Sequence, residues 1–452
     1  MRRVLLHDTR TGELLRLQGR RFPQVGIYAC GPTVYSRIHI GNARPFVIFS
    51  LLGRFLSHEG YQPRLVVNVT DVNDKIYDAA RARGRSSTEL AAEMTDLYVA
   101  DTDALGLGRP DGEPLASETM GAIVSYIEDL IASGHAYESG GDVFFRVRSD
   151  REYGSLSHRR IDDLDQGEGV EGSDRKQDPL DFALWKAQKE DEDQAWPSPW
   201  GDGRPGWHIE CSAMAEELLG VNFDIHGGGS DLVFPHHENE AAQTRCARDQ
   251  ELARIWMHNG MIQMTGEKMA KSAGNIAPLH EVIERYGRDA VVMYLISGHY
   301  RQPLAFSDAT LEQARANVLR IREAGRKLSA GDSPPDLDNL QELFFEALAH
   351  DFNTAEALAV LNEWIREATS PLFESPGDQH LREMLGVLGL ETLLDPVSEA
   401  PEEVRELAER RQRAREELDF ALADGLRGQI ADLGWEVRDG ADGPELLPLA
   451  RS

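Results

Sequence analysis

The chain has 452 residues, 41% of them hydrophobic and 28% charged, the make-up of a folded soluble protein with room for two to four domains. Acidic residues outnumber basic ones 77 to 48, and the net charge of −29 excludes indiscriminate nucleic-acid binding, though not a partner held on a local basic patch. Three cysteines build no disulfide framework, the opening run Met1–Asp8 is too short for a signal peptide, and no apolar segment reaches membrane-spanning length. The expected location is the cytoplasm, and the acidic surface suits a salt-rich one.

Val25–Cys30 reads as a short strand, followed by the tight loop Cys-Gly-Pro-Thr-Val-Tyr at 30–35. His-Ile-Gly-Asn at 39–42 then opens a helix with apolar positions at Phe46, Val47, Phe49, Leu52 and Phe55. Strand, loop and helix are the front of a doubly wound sheet, where a helix N-terminus offers free amides and positive dipole to phosphates. Arg64–Val69 is the next strand, with Thr70 and Asp71 at its carboxyl edge. Helices are expected over 88–107 and 118–133, and a hairpin over 135–147 around Ser139-Gly140-Gly141. The polar stretch 151–193 reads as long loops and not as a packed layer, and 196–203 as a Pro/Gly turn region.

Gly-Trp-His-Ile-Glu-Cys at 206–211 places Cys211 at the start of a helical run through Leu219. Further on come Phe-Asp-Ile-His-Gly-Gly-Gly-Ser-Asp-Leu at 223–232 and Phe-Pro-His-His-Glu-Asn-Glu at 234–240. If a helix starts at Pro235, His236 and Glu240 share one face. Cys30, Cys211, His236 and Glu240 then make a candidate tetrahedral zinc shell. There is no Cys-x-x-Cys pair, and two distant cysteines read equally as buried apolar residues. On a helix His237 and Glu238 point elsewhere, in supporting positions at best, and Cys246 lies outside every motif.

Arg254–His258 is a further strand. Beyond it Gly266–Asn275 is a loop holding Lys268 and Lys271, two of only seven lysines in the chain. Helices follow at 278–286, 288–297, 307–329, 337–349, 355–370 and 378–389. A linker is expected at 395–401, helices at 404–418 and 420–433, and a small hairpin at 434–449.

Taken together, these motifs, with Lys-Met-Ala-Lys-Ser at 268–272, resemble those of the bacterial-type cysteinyl-tRNA synthetases, a class I family, over nearly the whole chain. The resemblance implies an α/β fold: a Rossmann-like, doubly wound parallel-sheet catalytic domain (1–304, with an insertion at about 110–205). A helical bundle (305–392) and a small C-terminal anticodon-binding domain (402–452) would follow. It implies ATP-dependent attachment of cysteine to its tRNA through cysteinyl-adenylate. His39, Gly41 and Asn42 would contact ATP, with Lys268 and Lys271 closing over the triphosphate. Gly31, Thr33, Thr70, Trp207, His226 and Asp231 would surround the amino acid.

The implied cofactors are one zinc ion per chain and the magnesium that accompanies ATP. The implied partners are cysteine, ATP and the cysteine tRNA, with no membrane, for a monomeric enzyme. A site of two thiolates and a carboxylate is a poor generator of hydroxide but accepts a soft sulfur, so it would select the substrate thiolate over the serine hydroxyl without editing.

Three departures stand out. Ala270 replaces a serine usual in the lysine loop, Asn73 stands where relatives carry aspartate, and the C-terminal tail lacks the tryptophan and basic residues common there. The arginines at 405, 410, 411, 413 and 415 offer a positive face for RNA. Two other readings stay open: a ligase joining cysteine to an amino-sugar, against which the 402–452 region argues, and a zinc-binding regulator, against which the His39/Asn42 and Lys268/Lys271 pairing argues.

Overall fold

The computed structural model describes all residues except 164–173, 265–266, 269–275, 396–399, 418, 441–442 and 449–452. Lys271, Ala270, most of the 395–401 linker and the extreme C-terminus therefore lie outside the described residues.

A short hairpin, β1 (Leu5–His7) and β2 (Leu14–Arg16), precedes β3 (Gln24–Ala29), α1 (Ile40–His58) and β4 (Gln62–Val67). After α2 (Asp74–Arg83), α3 (Ser87–Asp103) and α4 (Met120–Ala132) come β5 (Ala136–Ser139), β6 (Asp142–Phe145), β7 (Phe182–Ala187) and β8 (Gly203–Pro205). The chain then returns through α5 (Trp207–Leu219), β9 (Phe223–Gly229), α6 (Glu238–Arg248) and β10 (Ala253–Asn259). Strands β3, β4, β9 and β10 form one parallel sheet in the order β10-β9-β3-β4. Strands β9 and β10 are buried along nearly their whole length and β3 and β4 over their second halves, and α1 buries Phe46, Val47, Phe49, Leu52 and Phe55. Gly227 lets α1 settle this close, since a Cβ there would fall 1.9 Å from the Phe49 ring.

The loop reading of 151–193 is corrected. Residues Phe182–Ala187 form β7, the third strand of an antiparallel sheet ordered β5-β6-β7-β8. Phe182, Leu184 and Trp185 are fully buried with Val143, Phe145 and the α4 residues Ile123 and Ile127. A four-residue apolar core with polar flanks is enough for a strand once a hairpin supplies its neighbour. Residues 196–203 do turn, with Trp196 bridging Gly203 before β8.

Beyond β10, β11 (Ile262–Met264) pairs with β12 (Glu267–Lys268) and, in parallel, with β13 (Leu304–Phe306). Between them lie α7 (Leu279–Tyr286) and α8 (Arg288–Leu295). A helical region follows: α9 (Asp308–Gly325), α10 (Asp338–Ala349), α11 (Thr354–Ala368) and α12 (Gln379–Val387). These helices end within a few residues of the expected boundaries, with Ser307 and Asn353 as side-chain N-caps.

The last unit packs α13 (Glu402–Glu416) on α14 (Phe420–Asp432) and a hairpin of β14 (Trp435–Gly440) and β15 (Gly443–Pro448). Here the arginine face is narrower than expected. Arg411 is 5% exposed, because it continues the buried stripe of Val404, Leu407, Ala408 and Ala414 at helical spacing. Arg410 is exposed, but it shares a groove with Glu403, Glu406 and Asp432. Among the described residues, no helix is long and apolar enough to cross a membrane.

Candidate functional site

Four segments meet at the carboxyl edge of the parallel sheet. Cys30 follows β3 and is tied to β9 by its N–H donating to Gly227 O at 3.0 Å. Gly31 passes so close to β4 that a Cβ would sit 1.7 Å from Asn68 O, and its N–H donates to Asn68 Oδ1. Helix α5 begins at Trp207, not at Cys211, because Gly206 lies flat against β7, where a Cβ would strike Ala183 O at 1.9 Å. Cys211 is thereby in the second turn and fully inside.

His236 and His237 do not begin an α-helix. Phe234 is extended (φ −140°, ψ 132°), and the His237 N–H reaches back five residues to Leu232 O at 2.9 Å, a wide turn of the kind found at functional sites. Helix α6 starts only at Glu238. The wide turn brings His237 inward as well as His236: its Nε2 is 3.3 Å from Cys30 Sγ, against the expectation that it points away. Glu238 does turn aside, accepting from Ser157 N–H in the antiparallel-sheet region.

The ligand atoms of Cys30, Cys211, His236 and Glu240 all lie within 4.8 Å of one another, and all four residues are buried. Cys30 Sγ is 3.7 Å from Cys211 Sγ and 3.6 Å from Glu240 Oε1, while His236 Nε2 is 3.1 Å from that oxygen. Two sulfurs at the usual Zn–S length of about 2.3 Å stand about 3.8 Å apart on a tetrahedral zinc, and a sulfur and an oxygen about 3.5 Å apart. The donor set fits that ion.

An overlapping set, Cys30, His226, His237 and Glu240, also meets the 4.8 Å limit. It fits less well, for His237 Nε2 is 4.0 Å from Glu240 Oε1, and His226 Nε2 meets the other carboxylate oxygen at 2.8 Å, a hydrogen-bond distance. His226 orients Glu240 in this geometry, and its ring stacks on Trp256.

Electrostatics argue the same way. Burial, then Cys211 and Glu240, push the Cys30 thiol well above its ordinary range, and burial holds His236 and His237 neutral. A buried pocket with three groups able to carry negative charge is balanced when a cation joins them. Sequence reasoning missed the groups behind the donors. His208 Nδ1 meets His236 Nδ1 at 2.8 Å, and His258 Nε2 meets His237 Nδ1 at 2.7 Å. Their motif positions were visible, but nothing in spacing says which histidine backs which.

Of the expected amino-acid contacts, Trp207 stacks on His236 with centroids 4.2 Å apart. Thr70 is buried, accepts from Asn68 Nδ2, and bridges Thr33 across the sheet edge. Asp231 sits at the exposed rim over Gly229, where a Cβ would lie 2.5 Å from its Oδ1.

The residues expected to contact ATP occupy the start of α1. The Gly41 N–H donates to His39 Nδ1 and the His39 N–H to Asn42 Oδ1, a reciprocal cap, and the first turn carries no acidic residue. The far end of the lysine segment comes to the same place: Ile40 N–H donates to Ala277 O and Leu279 N–H to Ile38 O. Its near end, Lys268, pairs with Gln263 of β11. Arg44, fully buried, donates to Gly260 O, Gln302 O and His299 O and so ties α1 to the turn before β11 and the loop before β13.

A family model for the catalytic domain of class I (C) tRNA synthetases matches residues 18–316, and a DALR domain model matches 343–392. The cysteine–tRNA ligase of Cronobacter sakazakii is 44% identical over 435 residues, covering 93% of this chain and 94% of the relative. That of Halorhodospira halophila is 44% identical over 452 residues, covering 97% and 98%. A Mycobacterium tuberculosis methionyl-tRNA synthetase in complex with methionyl-adenylate shares the fold with a TM-score of 0.59 at 16% identity, covering 82% of this chain and 89% of that one. The parallel sheet with its inserted antiparallel layer, the motif residues gathered at its carboxyl edge and near-full-length likeness to these ligases place the chain in the cysteine–tRNA ligase family of class I aminoacyl-tRNA synthetases.

Proposed function

We propose that the chain charges its tRNA in two steps, through cysteinyl-adenylate, and that a zinc ion held by Cys30, Cys211, His236 and Glu240 selects the amino acid. The observation that carries this reading is the meeting of those four ligand atoms within 4.8 Å in a buried pocket. When bound, zinc supplies a soft Lewis-acid site that a thiolate satisfies and a serine hydroxyl does not. Trp207 and Thr70 shape the wall beside it, with Gly31, Thr33, His226 and Asp231 completing the amino-acid pocket.

Activation needs no general base, because the substrate carboxylate is already ionised at neutral pH. It needs in-line placement against the α-phosphate and neutralisation of charge on the leaving pyrophosphate. Gly41 and the opening amides of α1 face the phosphates, with His39 and Asn42 exchanging their capping bonds for nucleotide contacts. Lys268 and Lys271 supply positive charge to the triphosphate, and magnesium travels with ATP. Tethering of 277–279 to 38–40 supports that shared destination.

The enzyme acts as a cytoplasmic monomer, with domains at 1–304 (insertion about 110–205), 305–392 and 402–452. The last of these reads the anticodon through exposed Arg405, Arg410 and Arg413, with Arg411 buried as packing. Metal analysis combined with pyrophosphate exchange tests the proposal. The expected result is one zinc per chain and exchange driven by cysteine but not serine. A folded, metal-stripped enzyme that still prefers cysteine over serine would sink it.

A further inference from the structure

The opposite, N-terminal edge of the parallel sheet holds a second concavity. A cavity of about 620 Å³ opens between the starts of β3, β4 and β9 and the last turn of α5. Arg20, Arg21 and Arg64 line it, against a single carboxylate, Asp224. The Asp224 oxygens are taken by backbone N–H groups, from Arg20 at 2.8 Å and Gly26 at 2.9 Å. Elsewhere in this acidic chain arginines are routinely paired, as in Arg37–Asp101, Arg248–Glu216 and Arg301–Asp351. Among the described residues, none of the three lining guanidiniums forms an ion pair.

Helix capping accounts for part of this. Arg64 Nη1 donates to Leu218 O and Arg20 Nη1 to Val221 O, covering carbonyls at the negative end of α5. Each such bond uses one of five guanidinium donors. Among the described residues the Arg21 side chain caps nothing. The three exposed guanidiniums make a local positive patch in a protein of net charge −29, which an anion would neutralise. The rest of the lining mixes the amides Gln24 and Gln62 with apolar Leu218, Leu219 and Val221.

We propose that this cavity binds a phosphate-bearing small molecule of nucleotide size. The guanidinium forks take the phosphate, for which their planar geometry is suited, and half-buried Leu218, Leu219 and Val221 take the less polar body. The volume lies in the range of small-molecule pockets, and its concave shape and apolar wall favour such a ligand over an RNA backbone laid across the surface. A ligand there touches β3 and α5, the two elements that carry Cys30 and Cys211 at their other ends.

Calorimetric titration of the full-length enzyme with AMP as probe tests this. Two sites per chain are expected. Arg21→Ala, whose side chain makes no hydrogen bond or ion pair among the described residues, should weaken one of them at least tenfold and leave tRNA charging at saturating substrate unchanged. His39→Ala should weaken only the other. A single site that survives Arg21→Ala overturns the proposal. So does equally tight binding of inorganic phosphate, which would make the cavity a bare ion contact, and so does a loss of tRNA affinity in Arg21→Ala with AMP binding intact. If only the catalytic assignment were wrong, the AMP site sensitive to Arg21→Ala would remain.

Discussion

The two halves of the proposed active-site edge are built on opposite plans. On the thiol side, Cys211, His236 and Glu240 are buried, and the His236 ring is stacked on Trp207 and backed by His208. On the nucleotide side, Asn42 is exposed, the donors are main-chain amides at the start of α1, and His39 and Asn42 cap that helix. A site that must tell one small side chain from another gains from donors fixed before the substrate arrives. A site that must admit and release a large polyanion is better served by groups that exchange one partner for another.

The largest effect should come from breaking the fixed half. Cys211→Ser should abolish stoichiometric zinc and lower kcat/KM for cysteine in pyrophosphate exchange about 1000-fold, roughly 4 kcal/mol. A variant that keeps full metal and activity would show that the plan of this half is wrong. Next, His39→Ala should lower kcat of the exchange about 100-fold while leaving metal content unchanged. A parallel loss of zinc would mean that the halves are not separable. His226→Gln removes the ring that holds Glu240 and should weaken zinc about tenfold, read by competition with a chelator. If His226 were instead a ligand, the loss would approach that of Cys211→Ser.

The nucleotide half also rests on an acid-sensitive brace. Asp351 accepts from His7 N–H, Tyr300 Oη and Arg301, beside the 299–302 carbonyls that Arg44 grips. Despite its burial, the hydrogen bonds from His299, His7, Tyr300 and Arg301 hold its carboxyl down, to about 2. A depressed carboxylate stabilises the fold fully above its unfolded value, near 3.8, and that contribution is lost as pH falls through about 2. Asp351→Asn should therefore cost about 2 kcal/mol at neutral pH, with the difference in Tm from wild type closing toward pH 2. A pH-independent difference would contradict this. The smallest effect should be that of Arg410→Ala, a few-fold rise in KM for tRNA with cysteine-dependent exchange unchanged, showing that both halves lie outside its reach.

Much of this arrangement was legible in the residues. Val25–Ala29 and Arg254–His258 are largely apolar runs of strand length, and the helices from 278 onward carry clear apolar stripes. The four donors could be named because Cys, His and Glu were placed next to fixed-geometry motifs. What could not be read depended on contacts between distant segments. Strand β7 needed β6 beside it, Trp207 became helical because Gly206 could press on Ala183, and the wide turn at 233–237 changed which histidines face inward. The burial of Arg411 was a different error, for its spacing from Val404 and Leu407 was in plain view but its charge was given more weight.

The sheet order has a consequence for how the polypeptide is made. Strand β9 lies between β3 and β10, yet about 190 residues separate Ala29 from Phe223. At roughly 5–20 residues per second, a ribosome needs about 10–40 s to deliver it. For that interval the emerging β3–β4 pair has one bare edge, open to mispairing, and Cys30 waits as a lone thiol. Early assembly of α1 against β4, joined by only a few residues, would keep the half-made sheet from sticking to its neighbours until the remaining donors emerge.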